Sequence, residues 1–269
     1  MIAARLQRGD EVRVVSPAVS LGFIPEDQKS MARERLEGLG LRLSFSTNAD
    51  VMDRFDSSPV EARVSDLHEA FADSGVRGIL TTLGGYNSNG LLGYLDYDLI
   101  RANPKIFCGF SDITAPATAI HARTSLVTYS GPHFTTFGMK HGIDYTMEYF
   151  ERCLMREEPF EVLPADHWSD DLWYQDQVNR DFVPNPGYEV MYEGVAEGKL
   201  LGGNLGTVCL LFGTPYMPDL EGSILLLEDD EEVNAVQGPG AVLARSARRP
   251  ARVVIASRPA KTMPQSSAT

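Results

Sequence analysis

The sequence predicts an α/β protein: an N-terminal parallel-sheet domain of Rossmann/flavodoxin-like type, then a smaller, truncated β-rich C-terminal domain. Three observations carry that prediction. Residues 1–150 alternate short apolar runs with longer amphipathic ones, the pattern of strands covered by helices. Each intervening segment is long enough for the crossover that a parallel strand pair requires. Beyond residue 189 a second apolar strand pattern, Ser223 to Leu227, follows the turn-forming Gly202-Gly203-Asn204.

Taken in order, strands are expected at 11–16, from the β-branched run Val12-Arg13-Val14-Val15, and at 41–46, 77–82, 105–110 and 126–129. Helices are expected between them at 25–39, 60–74, 90–102 and 112–124. The organisation is then an α/β domain over 1–160, a linker and site rim over 161–188, a partial C-terminal domain over 189–232 and a basic tail over 233–269. The linker is marked by the acidic and aromatic Asp166-His167-Trp168-Ser169-Asp170-Asp171-Leu172-Trp173-Tyr174 and the turn-rich Pro184-Asn185-Pro186-Gly187. The tail has no Asp or Glu and six basic side chains, whereas the preceding 232 residues hold 18 basic and 37 acidic ones. Such a break fits a flexible basic extension or a change of reading frame.

The 269 residues are 43% hydrophobic, enough for a sizeable core. A net charge of −13 argues against nucleic acid or an anionic membrane as partner, since both demand clustered Lys and Arg. A small-molecule or peptide substrate is expected instead. Cys108, Cys153 and Cys209 show no CxxC or Cys/His ligand spacing and read as buried thiols in a reducing compartment. No apolar leader or spanning stretch precedes the first strand, which gives a cytoplasmic expectation. No metal or cofactor is implied.

Ligands of open parallel sheets sit beyond the carboxyl ends of the strands. Three unusual loops fall there: Ser16-Pro17-Ala18, Leu83 to Asn89, and Gly109-Phe110-Ser111-Asp112. In the third, an apolar strand breaks at one serine and continues as a helix. A sharp turn of this kind lifts a hydroxyl above the sheet and aims free helix N–H groups at the same point. Ser111 is the candidate nucleophile, and a helix N-cap is the alternative reading. The elbow signature's second glycine is replaced by Ile113. A serine needs a base and the base needs an orienting group. Of His68, His121, His133, His141 and His167, the first two fall in helical patterns, and His141 and His167 in loops with His167 near the rim. His133 follows the next strand and is the best base on these grounds. Gly84-Gly85 reads as an oxyanion hole or a tight turn. Glu228 reads as an orienting carboxylate or a solvated strand end, and Trp168 and Trp173 as stacking groups or linker packing.

Several motifs in fixed order resemble the LD-carboxypeptidase family of serine peptidases, particularly its microcin C immunity protein-like branch. They are Gly84-Gly85-Tyr86-Asn87-Ser88-Asn89 with Leu95-Asp96-Tyr97-Asp98; Asn103 to Phe107 leading into Gly109-Phe110-Ser111-Asp112-Ile113-Thr114; Tyr129-Ser130-Gly131-Pro132-His133-Phe134; Gly202-Gly203-Asn204-Leu205; Gly213-Thr214-Pro215-Tyr216; and Leu227-Glu228-Asp229-Asp230. The likeness covers roughly residues 1–232. It implies a Ser-Glu-His mechanism with Ser111 as nucleophile and Glu228 as the orienting carboxylate. The oxyanion would be held by backbone N–H groups of Gly85 and Asp112, and Gly84, Asn87, His133, Trp168, Trp173 and Asn204 would face the substrate. The implied substrates are the L-D peptide bond of a murein peptide or the acyl-nucleotide link of a microcin-like toxin, and a homodimer is implied. The family's histidine lies past the Glu, whereas no histidine follows His167 here. Loss of the triad histidine costs on the order of 10⁶ in turnover in a serine protease. The resemblance therefore implies an impaired hydrolase, with a catalytically silent binder of muropeptide or aminoacyl-nucleotide ligands as the alternative.

Overall fold

The computed structural model describes residues 1–169 and 171–229, together with the backbone of 254–257. Its first layer is a parallel sheet of β1 (Glu11–Val15), β2 (Arg42–Phe45), β3 (Val76–Thr81) and β4 (Ile106–Cys108) in the order β2-β1-β3-β4. The helices that connect and cover it are α1 (Glu26–Gly38), α2 (Val60–Ala72), α3 (Tyr97–Ala102), α4 (Thr114–Thr124) and α5 (Asp144–Met155). The strand order reverses between β1 and β3, which opens a crevice at their carboxyl ends. Val12, Val14, Ile79, Leu80 and Phe107 fill the core, where the Phe71 ring of α2 stacks on Phe107 at 6.3 Å.

Two expected elements differ. The strand at 126–129 reduces to one parallel bridge, Tyr129 to Cys108. Tyr129 N–H donates to Phe107 O at 2.9 Å and Gly109 N–H to Tyr129 O at 3.1 Å, and after a last contact from Gly131 N–H to Gly109 O at 3.4 Å the ladder ends where the chain beyond β4 turns away at Ser111. The helix at 90–102 splits into a 3₁₀ turn, Ser88–Leu91, and α3. Gly90 and Gly93 are poor helix formers, and the Asp96 carboxylate starts a new helix by accepting from Asp98 and Leu99 N–H. The helix expected from 112 begins likewise with a 3₁₀ turn, Ser111–Ile113, ahead of α4.

Beyond α5, β5 (His167–Trp168) pairs antiparallel with β6 (Val183–Pro184). The segment between them is docked on the first domain. Gln177 bonds Gly138 O and Lys140 N, at 3.0 and 2.8 Å, and Arg180 donates to His141 O at 2.9 Å. A second sheet follows from β7 (Lys199–Asn204), β8 (Ser223–Glu228) and β9 (Val254–Ser257), with α6 (Leu205–Leu211) after its first strand. β7 and β8 are parallel, whereas β8 and β9 are antiparallel. The expected basic tail thus contributes a strand; the rest of 233–269 lies outside the described residues.

The second sheet meets the first domain at α4. Asn204 N–H donates to Thr114 Oγ1 at 3.0 Å. A Cβ at Gly203, where φ is +131°, would lie 2.5 Å from that same oxygen, so only glycine allows the approach. Of the three thiols expected in the core, Cys108 is buried, Cys153 half-buried and Cys209 exposed on α6. Among the described residues no helix is long and apolar enough to cross a membrane.

Candidate active site

β4 ends at Cys108, and four residues later the chain is already helical, so the turn between must be tight. Ser111 takes its sharpest position, with φ +59°, a left-handed conformation that costs a non-glycine residue of order 1–2 kcal/mol. It is half-buried, and among the described residues its hydroxyl has no hydrogen-bond partner. Gly109 supplies the room beneath, since a Cβ there would fall 2.1 Å from Thr81 Oγ1.

The loop after β3 closes over this turn. A Cβ at Gly84 would lie 2.9 Å from Ser111 Oγ and 3.7 Å from Asp112 N, so the bare Gly84 backbone stands directly against the hydroxyl. Gly85, at φ +156°, packs as tightly on the loop after β1, where an added Cβ would meet Ala18 Cβ at 3.0 Å. Val19 N–H donates to Gly84 O at 3.1 Å, tying the two loops together. Three of the sheet's carboxyl-end loops therefore converge on Ser111, as the sequence predicts.

Side-chain bonds not anticipated from the sequence fix that convergence. The buried Asp112 carboxylate accepts from Asn87 and Ser88 N–H at 3.0 and 2.9 Å, while Ser88 Oγ donates to Asp112 O at 2.7 Å. Asn87, expected at the substrate, spends its side chain otherwise: Oδ1 accepts from Arg63 at 2.8 Å and Nδ2 donates to Ser57 Oγ at 2.9 Å. Arg63, only 5% exposed, also donates to Pro17 O at 3.0 Å. Burial lowers its pKa, opposed by the nearby Asp53, Asp112 and Glu61 charges. The available signal is positional: Arg63 lies in one stripe of α2 with Leu67, Ala70 and Phe71, a cation where the helical period calls for an apolar side chain.

The histidines separate by environment. His133 is buried, stacks on Phe110 with ring centroids 4.2 Å apart and pairs through Nδ1 with Thr81 Oγ1 at 2.8 Å. Thr81 Oγ1 donates to Cys108 O at 3.2 Å, so the assignment that satisfies both places the proton on His133 Nδ1. Burial pushes the His133 pKa down to about 3. A base whose protonated form is that disfavoured is a weak one. The expectation that His133 supplies the base is thus corrected to a neutral ring supporting the elbow from below. His68 accepts from Asp96 N–H and His121 bonds Leu126 O, both roles within the scaffold. His141 and His167 are exposed.

The second sheet brings further polar groups towards the elbow. β7 runs against the Ser111–Ile113 turn, and its last residue, Asn204, is in register with Glu228 at the end of β8. The Asn204 amide oxygen caps α6 by accepting from Thr207 N–H and Oγ1, at 3.0 and 2.9 Å, and Nδ2 reaches Asp229 at 3.4 Å. Trp168 and Trp173 are half-buried in the docked 166–184 segment, with the Trp173 ring edge-on to Tyr174 at 6.1 Å. Among the described residues no group of His, Cys, Asp and Glu is arranged to hold a metal.

This geometry can be set beside known proteins. Residues 12–131 match the LD-carboxypeptidase N-terminal domain and residues 197–242 the LD-carboxypeptidase C-terminal domain. The putative carboxypeptidase YocD of Bacillus subtilis is 56% identical over 230 residues, covering 86% of this chain and 71% of that protein. The crystal structure of an MccF-like protein from Bacillus anthracis superposes with a TM-score of 0.88 at 53% identity, over 91% of this chain and 74% of the other. The microcin C7 self-immunity protein MccF, solved with aspartyl sulfamoyl adenosine, gives a TM-score of 0.76 at 31% identity over 84% of this chain and 70% of its own. With matches to both of the family's domains and a relative more than half identical, this chain belongs to the LD-carboxypeptidase family.

Proposed function

We propose that this protein is built as a serine hydrolase whose nucleophile is Ser111, acting on the carbonyl of an L-aminoacyl group. The bond broken is then either the L-D peptide bond of a murein peptide or the link from an aminoacyl group to a sulfamoyl or phosphoramidate nucleotide. The observation that carries the reading is Ser111 itself. It is a strained residue at a strand-to-helix turn, with a hydroxyl that has no hydrogen-bond partner among the described residues and stands against the backbone of Gly84. Ser111 Oγ attacks the carbonyl carbon and loses its proton to solvent water, because the histidine that Glu228 would orient in a Ser-Glu-His mechanism does not occur beyond Glu228 in this sequence, and the hydrolase is impaired accordingly. The resulting oxyanion is received by the Gly85 and Asp112 N–H groups, whose donation to negative charge rather than to a neutral carbonyl is what accelerates the step. The amine or sulfamate leaves with a proton, and water then frees the acyl group from Ser111. Trp168 and Trp173 offer flat faces to a nucleobase, and Asn204 offers a polar contact.

Support for the murein substrate is the family itself, and support for the nucleotide one is the ligand held by MccF. The free thiols of Cys108 and Cys153 agree with a cytoplasmic setting. A second reading, ligand binding without turnover, is favoured by one observation: among the described residues no histidine bonds Ser111.

Mass-spectrometric product analysis of the 269-residue chain with a D-Ala-ended murein tetrapeptide and an aminoacyl-sulfamoyl adenosine separates these readings. Cleavage of one substrate that disappears in a folded Ser111→Ala variant establishes the nucleophile and the branch. Cleavage that survives in Ser111→Ala refutes the assignment. Saturable binding without cleavage, equal in both proteins, selects the binder. If Glu228 orients a base within these residues, Glu228→Gln lowers turnover by about 10²-fold or more; without such a base it changes little.

A further inference from the structure

We infer that Arg63 and Asn87 are positioning residues that hold the Gly84-Gly85 loop in its working place over Ser111, so that the oxyanion site is formed before any substrate arrives. The inference rests on the proposed role of that loop. Asn87 is bonded at every polar group it has. Its N–H goes to the Asp112 carboxylate at 3.0 Å and its side-chain oxygen takes the Arg63 guanidinium at 2.8 Å. Its main-chain oxygen faces the same guanidinium at 3.4 Å, and its amide nitrogen donates to Ser57 Oγ at 2.9 Å. One residue thereby joins α2, the loop after β2 and the turn that carries Ser111, and through Arg63 it joins the loop after β1 at Pro17 O.

This arrangement answers an electrostatic problem. The proposed oxyanion site uses the backbone N–H of Asp112, yet the same residue carries a carboxylate, and an anion beside a developing oxyanion opposes it. Two backbone N–H groups, of Asn87 and Ser88, engage that carboxylate, and the buried Arg63 cation lies close enough to act on it. The Arg63 Nε is buried without a partner among the described residues, so the guanidinium is held in a position that does not satisfy its own bonding fully. Its commitment to the Pro17 and Asn87 oxygens is therefore one that packing imposes, and such a group sets loop geometry rigidly.

The test uses Asn87→Ala, which leaves the core intact, with Arg63→Met and Arg63→Lys beside it. Amide hydrogen exchange of the 82–92 segment reports the loop without requiring turnover. Exchange there at least tenfold faster in Asn87→Ala and Arg63→Met, with the β1 and β4 segments unchanged, is expected. Unchanged exchange in folded Asn87→Ala overturns the inference. A fluorophosphonate that labels Ser111 supplies the second measurement. Labelling should slow by about 10²-fold in both variants, the loss reported for one oxyanion donor, while binding of an aminoacyl-sulfamoyl adenosine in a Ser111→Ala background moves less than threefold. Arg63→Lys should recover part of the labelling rate, since it keeps the charge and loses the fork. Equal loss of binding and labelling indicates general disorder and also refutes a positioning role. Absence of labelling in the unaltered chain reflects a Ser111 without its base, and the exchange result then by itself decides whether Arg63 and Asn87 fix the loop.

Discussion

Ser111 holds a conformation that its own side chain opposes. At φ +59° a Cβ crowds the following carbonyl, and the cost is borne by the packing of Gly109 on Thr81 beneath it and Gly84 above it. Removing the strain should stabilise the fold while removing the proposed nucleophile. Ser111→Gly is expected to unfold at higher denaturant than Ser111→Ala by about 1 kcal/mol, because glycine alone accepts this region without penalty. Chemical denaturation of the pair measures it. Equal midpoints would show that the turn is not strained. The turn at Ser111 was legible in the sequence because an apolar run that breaks at one serine and resumes as a helix has few other geometries. The pairing of Arg63 with Asn87 was not, since a hydrogen bond from residue 63 to residue 87 is set by where two elements cross.

At the scale of elements, β4 and the chain at 129–133 form the floor of the site. His133 is locked there by Thr81 and Phe110, and burial holds its pKa near 3 against an ordinary value near 6.5. Between those values the unfolded chain binds a proton that the folded one refuses, so stability falls as pH drops through that window. In His133→Gln, urea unfolding from pH 6.5 to 3 should show a slope shallower than the parent's by up to about 1.4 kcal/mol per pH unit. An identical slope would mean that His133 is protonated in the folded state. The strand and helix positions of the first domain follow the apolar periodicity to within a few residues. The departures at 126–129 and 90–102 come from the turn of the chain beyond β4 at Ser111 and from Gly90, Gly93 and Asp96, where local backbone chemistry overrides the wider pattern.

Across the whole molecule, the two sheets are joined where β7 and α6 lie on α4. Thr114 receives the Asn204 N–H, and Gly203 is in the closest approach. Gly203→Ala forces a methyl to within 2.5 Å of Thr114 Oγ1 at a φ of +131°. The expected outcome is uncoupling: a single thermal transition becomes two, and limited proteolysis cuts between residues 185 and 198 while the first domain survives. One unchanged transition would show that the docking rests elsewhere. By itself the sequence determined the α/β class, the parallel first domain, the family and the turn at Ser111, because each is written in local periodicity or in contiguous motifs. Only the tertiary structure decided that His133 is a buried neutral ring, that Asn87 is spent on Arg63 and Ser57, and that Cys209 faces outward. Those outcomes depend on which surfaces the crossing of distant elements removes from water, and hence on contacts between residues far apart in the chain.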